Sequence, residues 1–178
     1  MTTVYLSLGS NVGGRVRHVL EALEALSEKG VHVIRRSEPY ETEPVDVLDQ
    51  GWFVNIVVEA RTGLPPEELM RTLLDVERSL GRERRVPKGP RTIDVDILLY
   101  GEKVVDLPAL KIPHPRMADR RFVLVPFAEI APQTRHPVLC KTIAELLRDT
   151  SDRSEVCIYR SSDPARNQKA EKSAPRDS

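Results

Sequence analysis

The sequence predicts an α+β fold, an antiparallel sheet packed by helices, and three patterns carry that expectation. The opening residues alternate apolar and polar side chains as a half-buried strand does. Two later segments, around 16–26 and 67–80, repeat apolar residues at helical spacing. A run over 92–100 is apolar enough for a core strand, although two acids interrupt it.

Taken in order, Val4, Leu6 and Leu8 alternate with Tyr5 and Ser7 in a first strand that ends at Gly9-Ser10-Asn11. Val16, Val19, Leu20, Leu23 and Leu26 mark a helix, which Gly30 is placed to end before a strand from Val31 to Arg36. Trp52 to Ala60 is rich in β-formers, and Pro65, Pro66, Glu67 and Glu68 then open a second helix with prolines and acids in its first turn. Leu69, Leu73, Val76 and Leu80 form its expected buried stripe. With the strand through Tyr100 the order is β-α-β-β-α-β, a ferredoxin-like core whose two helices cover one sheet face and leave the other for ligands or further elements. Beyond it, Thr142-Ile143-Ala144-Glu145 matches a capping box opening a short helix, a C-terminal helical extension, and Val156–Tyr159 reads as a last strand.

The 178 residues, 40% of them hydrophobic, suit one domain over 1–160. Residues 161–178 contain no Val, Ile, Leu or aromatic side chain and are expected to form a disordered tail. The 27 basic and 27 acidic side chains cancel, so no global field favours nucleic acid or a membrane surface. Cys140 and Cys157 are too few for a disulfide framework, and the N-terminus enters a strand without a secretory pattern; the expectation is a cytoplasmic monomer.

Function is read first from Asp94 and Asp96. Alternate residues of a strand share a face, so both carboxylates look the same way, about 6.5–7 Å apart at Cα. Two anions beside apolar residues need a partner, and Mg²⁺ with a polyphosphate is the natural one. The approach to this strand, Gly81 to Arg91, holds five cations between glycines and prolines and reads as a loop suited to gripping phosphate.

Gly9-Ser10-Asn11, Tyr40 to Val45, Phe53-Val54-Asn55, Gly81-Arg82, Gly89 to Gly101, Pro113 to Arg116 and Arg120 to Pro126 arrive together in this order. Jointly they make the chain resemble the 6-hydroxymethyl-7,8-dihydropterin pyrophosphokinases of folate biosynthesis, over roughly residues 3–160. The resemblance implies transfer of the terminal pyrophosphoryl group of ATP to the pterin hydroxymethyl, with two Mg²⁺ ions and release of AMP. It implies Asp94 and Asp96 as metal ligands and catalytic residues, with Arg82 and Arg91 as catalytic arginines. Phe53 and Phe122 would sandwich the pterin, Asn55 would meet its amide-like edge, and Thr42 and Val45 would add backbone contacts. Nucleotide contacts carried over are Glu77, Arg82, Arg84, Arg91, Lys111, His114 and Arg120, with Ile97 and Leu98 packing or hydrogen-bonding near the adenine through backbone groups. Lys88 stands where bacterial relatives carry a tryptophan, replacing an indole by a potential phosphate contact, and Pro115 stands where they carry a tyrosine.

Two rival classes are weighed. An RNA-binding module would need an aromatic-rich strand and a positive face, and the acids of 94 and 96 oppose it. A metal-dependent nuclease or nucleotidyl transferase shares the paired carboxylates and differs in its products.

Overall fold

The structure, a computed structural model, describes residues 1–81 and 92–161. The strand β1 (Thr2–Ser10) is followed by helix α1 (Arg15–Glu28), β2 (Val31–Arg36), β3 (Tyr40–Thr42), β4 (Phe53–Thr62), α2 (Pro66–Ser79) and β5 (Asp94–Tyr100). A hairpin of β6 (Val105–Leu107) and β7 (Leu110–Ile112), a 3₁₀ turn at Met117–Asp119, α3 (Arg121–Ile130), α4 (Ile143–Asp149) and β8 (Val156–Ile158) complete it. The main sheet runs β5-β1-β4-β3-β8, with β2 also on β4, and all its pairings are antiparallel.

β2 and β3 share one edge of β4, the first on its C-terminal half and the second on Phe53–Asn55. Ser37 spans the step between them: its amide donates to the Val57 carbonyl and its hydroxyl accepts from the Val57 amide, so the ladder stays satisfied while the chain changes direction.

Two apolar layers hold the sheet. On one face α1 and α2 bring Val19, Leu26, Leu69 and Leu73 onto Val4, Leu6, Leu8, Ile56 and Val95. Helix ends follow the sequence signals, with prolines and Glu67 and Glu68 opening α2 and Gly30 and Gly81 taking positive φ just past the two helices. The apolar stripe of α1 is narrower than its spacing predicts, because Leu20 lies 40% exposed and Ala22 takes the inward place.

On the opposite face α3 and α4 set Leu124, Phe127 and Ile143 onto Val57, Leu98 and Leu99. Helices therefore cover both faces, including the one the sequence left for ligands or further elements. The element α3 was not foreseen: β-branched residues and Pro126 sit inside it, and tertiary burial overrides those propensities. The expected helix at 143–149 forms, with Thr142 and Glu145 closing a reciprocal capping box.

Strict alternation along β5 also fails at one point. Leu6 pairs with Ile97 and Tyr5 with Leu99, so Leu98 is an extra residue, a bulge. Beyond it Leu99 joins the α3 layer and Tyr100 the α1–α2 layer, the reverse of the expected facing. Asp94 and Asp96 precede the bulge and keep a common face.

The N-terminus of α1 is tied to the sheet by Arg15. Its guanidinium donates to Glu41 Oε1 at 3.1 Å and to the Trp52 carbonyl at 2.8 Å, with the two side chains only 7% and 3% exposed. Removing one member of such a pair strands the other charge, so Glu41→Ala is expected to cost about 3–5 kcal/mol. An apolar pair, Arg15→Met with Glu41→Leu, is expected to recover most of that loss in urea unfolding.

Candidate active site

The C-terminal end of β1 lies between the starts of β4 and β5, where Gly9 pairs with Asn55 on one side and Asp94 on the other, and Ser7 pairs with Asp96. These neighbours form the floor of a cleft of about 380 Å³ on the α3 face of the sheet. Gly9 is required there for space: a Cβ at this position would fall within the Asn55 carboxamide. That carboxamide is buried and donates from Nδ2 to Thr42 Oγ1 at 2.7 Å, so β3 fixes the orientation in which it meets the cleft.

Asp94 and Asp96 are half-buried and both open into this cleft. Val95 between them points into the α1–α2 core, and its amide donates to Glu77 Oε1 at 2.8 Å. Glu77 is 3% exposed on α2, so a helix carboxylate anchors the edge strand midway between the two acids. Hard oxygen donors on one face suit Mg²⁺, which takes few protein carboxylates and completes its shell with water and phosphate oxygens. Among the described residues no group of three or more His, Cys, Asp or Glu is arranged to hold a metal. A metal would accordingly be held by Asp94 and Asp96 together with a ligand rather than by a closed protein cage.

Facing the acids is a wall from the segment before α3. The His114 amide donates to the Leu98 carbonyl at 3.0 Å, and His114 Nδ1 accepts from the Arg116 amide at 3.1 Å, which assigns the ring proton to Nε2. Burial, with further help from Arg120, lowers the His114 pKa to about 4 despite the opposing pull of Asp94. The imidazole is therefore neutral at neutral pH. The Arg120 guanidinium lies 5.4 Å from the Phe122 ring centre, and burial followed by repulsion from Arg116 lowers its pKa from the usual arginine range. Among the described residues its buried Nε has no hydrogen-bond partner.

The structure brings most of the sequence-named residues together. Thr42, Val45, Phe53, Asn55 and Phe122, named for the pterin, all line the cleft, as do Glu77, Asp94, Asp96, His114 and Arg120. Two named nucleotide contacts do not. Ile97 is 4% exposed within the α1–α2 core, because its side chain alternates away from the acids. Lys111 pairs with Asp106 across the β6–β7 hairpin. Arg82, Arg84, Lys88 and Arg91 lie outside the described residues, as does the expected tail after residue 161. Asp46, Gln50 and Arg116 line the cleft without having been assigned a role there. The stretch from Pro44 to Gly51 has no periodicity to reveal Asp46 and Gln50; a buried carboxamide contact, Asn11 Nδ2 to Gln50 Oε1 at 2.9 Å, is visible only in three dimensions.

Comparison with known proteins agrees with this geometry. The family model described as 7,8-dihydro-6-hydroxymethylpterin-pyrophosphokinase (HPPK) matches residues 5–132. A 2-amino-4-hydroxy-6-hydroxymethyldihydropteridine pyrophosphokinase of Aquifex aeolicus is 40% identical over 160 residues, covering 90% of this chain and 99% of the relative. The enzyme of the same name from Bacillus subtilis is 45% identical over 130 residues, 72% of this chain and 78% of its own. The folic acid synthesis protein fol1 of Pneumocystis carinii is 43% identical over 149 residues, of which the chain spans only 20% of the relative's length. A crystal structure of Plasmodium falciparum HPPK-DHPS superposes with a TM-score of 0.65 at 17% identity, covering 83% of this chain and 43% of that one, a likeness of fold.

Two outcomes follow from the floor and the wall. Gly9→Ala is expected to destabilise the protein by about 1–3 kcal/mol, read as a lowered urea midpoint, because Asn55 must move from its bond to Thr42. His114 has a folded pKa below its unfolded value, so between pH 6.5 and about 4 the unfolded chain binds more protons and stability falls as pH falls. His114→Gln is expected to flatten that part of the stability profile measured by denaturant titration.

Proposed function

The chain belongs to the 7,8-dihydro-6-hydroxymethylpterin-pyrophosphokinase family, and from that premise we propose how its cleft carries out the reaction. The chemistry is transfer of the pyrophosphoryl group of ATP to the hydroxymethyl group of 6-hydroxymethyl-7,8-dihydropterin in folate synthesis. The pterin oxygen forms a bond to the β-phosphorus as the bond from that phosphorus to the α,β-bridging oxygen breaks. Its electron pair leaves with AMP, and the hydroxyl proton is released.

One observation carries the assignment of roles: two same-face carboxylates open into the same cleft as a fixed carboxamide, two aromatic rings and a guanidinium. Asp94 and Asp96 are the ligands for two Mg²⁺ ions, which when bound offset the phosphate charge. Asn55, oriented by Thr42, reads the polar edge of the pterin, and Phe53 and Phe122 take its faces, with Val45 closing one side. Arg120 donates to phosphate oxygens, and neutral His114 offers Nε2–H to the same chain. Glu77 is a positioning residue, acting through the Val95 amide on the separation of the two acids. Arg82, Arg84, Lys88 and Arg91 are assigned by resemblance to the phosphate side. Because the covalent change is slight, positioning and charge neutralisation supply most of the acceleration.

The order β5-β1-β4-β2 with α1 and α2 on one face supports a ferredoxin-like core, and α4 supports a C-terminal helical extension within a domain over 1–160. The free cysteines support a reducing, cytoplasmic setting. No helix among the described residues is long and apolar enough to cross a membrane.

With ATP, 6-hydroxymethyl-7,8-dihydropterin and Mg²⁺ the protein is expected to release AMP, and chelation of the metal to stop it; release of ADP would overturn the assignment. Asp94→Ala and Asp96→Ala are each expected to lower kcat by at least about 100-fold, the scale of a lost charge stabiliser. Their circular dichroism is expected to match that of the unaltered chain, since neither acid belongs to the apolar layers.

A further inference from the structure

Between β3 and β4, Asp46 reaches across the cleft to the wall before α3. Its Oδ1 accepts from Arg116 Nη2 at 3.1 Å and its Oδ2 from Arg120 Nη2 at 3.4 Å. The Asp46 and Arg120 side chains are 26% and 15% exposed, so this pairing is screened less than an open surface bridge. All three residues line the cleft that holds Asp94 and Asp96.

The hold on Arg120 is incomplete. The contact to Asp46 is long, one carboxylate is shared between two guanidinium groups, and among the described residues the buried Nε–H of Arg120 finds no acceptor. A guanidinium meets an anion best through two parallel bonds, from Nε and Nη or from both terminal nitrogens. Asp46 makes only one bond to Arg120 and so leaves half of that fork for an anion with more oxygens and more charge. A phosphate chain has both.

We infer that Asp46 is an internal counter-ion of Arg116 and Arg120 that competes with the phosphates of the nucleotide and thereby sets nucleotide affinity. This rests on the nucleotide reading of the cleft given above. Without nucleotide, the carboxylate compensates two guanidinium groups that would otherwise repel each other across the wall. When the phosphate chain arrives, the arginines exchange one shared carboxylate for several phosphate oxygens, and Asp46, now beside a like charge, gives them up. Part of the attraction of the wall for phosphate is spent on that exchange.

The test is the affinity of the Mg²⁺ complex of α,β-methylene-ATP, which cannot be cleaved at the reacting bond, measured by titration calorimetry. Asp46→Asn keeps the size of the side chain and removes its charge. It is expected to bind the analogue roughly threefold to tenfold more tightly, the range a partly exposed ion pair commands, and to lose affinity more steeply with added salt because two guanidinium charges are uncovered. Asp46→Ser should change affinity in the same direction, and the gain should shrink when Arg116→Gln is added, since the two sites are coupled. Pterin affinity measured alone should stay constant. Unchanged or weaker analogue binding in both Asp46 variants, with melting temperatures preserved, would overturn the inference and make the carboxylate a support for the arginines. Failure of the unaltered protein to release AMP with the pterin would instead overturn the reaction, leaving the analogue comparison intact.

Discussion

Like charges two residues apart on a strand repel each other, so β5 can present Asp94 and Asp96 side by side only because the surrounding structure compensates for them and prevents the strand from turning them away. Among the described residues the strand ends the sheet, with β1 as its one neighbour. On the other side α2 supplies Glu77, whose carboxylate takes the amide of the residue between the two acids. Val95 is buried in the apolar layer beneath. Register to β1, burial of Val95 and the bond to Glu77 together fix which way the acids look, and the cleft inherits its geometry from that.

The rest of the cleft is arranged around the resulting negative charge. His114 is held neutral by burial and by the cations near it, so it offers a hydrogen bond without adding charge. Arg116 and Arg120 bring the positive charge, and Asp46 ties both to the connection that also carries Thr42 and Val45. Asp46 thereby bridges the connection between β3 and β4 to the segment before α3. Arg15 and Glu41 brace the same connection from beneath, linking β3, the residue before β4 and the start of α1.

Much of the fold was legible because periodicity reports burial directly. The first strand, both amphipathic helices with their glycine and proline punctuation, and the capping box at Thr142 all follow local rules. The less legible parts are those where a neighbour decides. Helix α3 contains Pro126 together with Phe122, Val123, Val125 and Phe127 in its first turns, and it is helical because Leu124 and Phe127 have a sheet face to cover. The bulge at Leu98 reverses the facing of Leu99 and Tyr100 because β1 imposes its register. Lys111 was read as a nucleotide contact from its position in a motif, while its hairpin partner Asp106 depends on a turn no periodicity marks.

By itself the sequence determined that Asp94 and Asp96 share a face, since alternation along a strand is a local property, and the joint order of its motifs determined the family. Tertiary structure decided what surrounds those acids: Asn55 held by Thr42, neutral His114, and Arg120 shared with Asp46. The physical reason is distance along the chain. Asp46 lies 74 residues before Arg120, and charge and burial between such groups exist only after the sheet has brought its strands together.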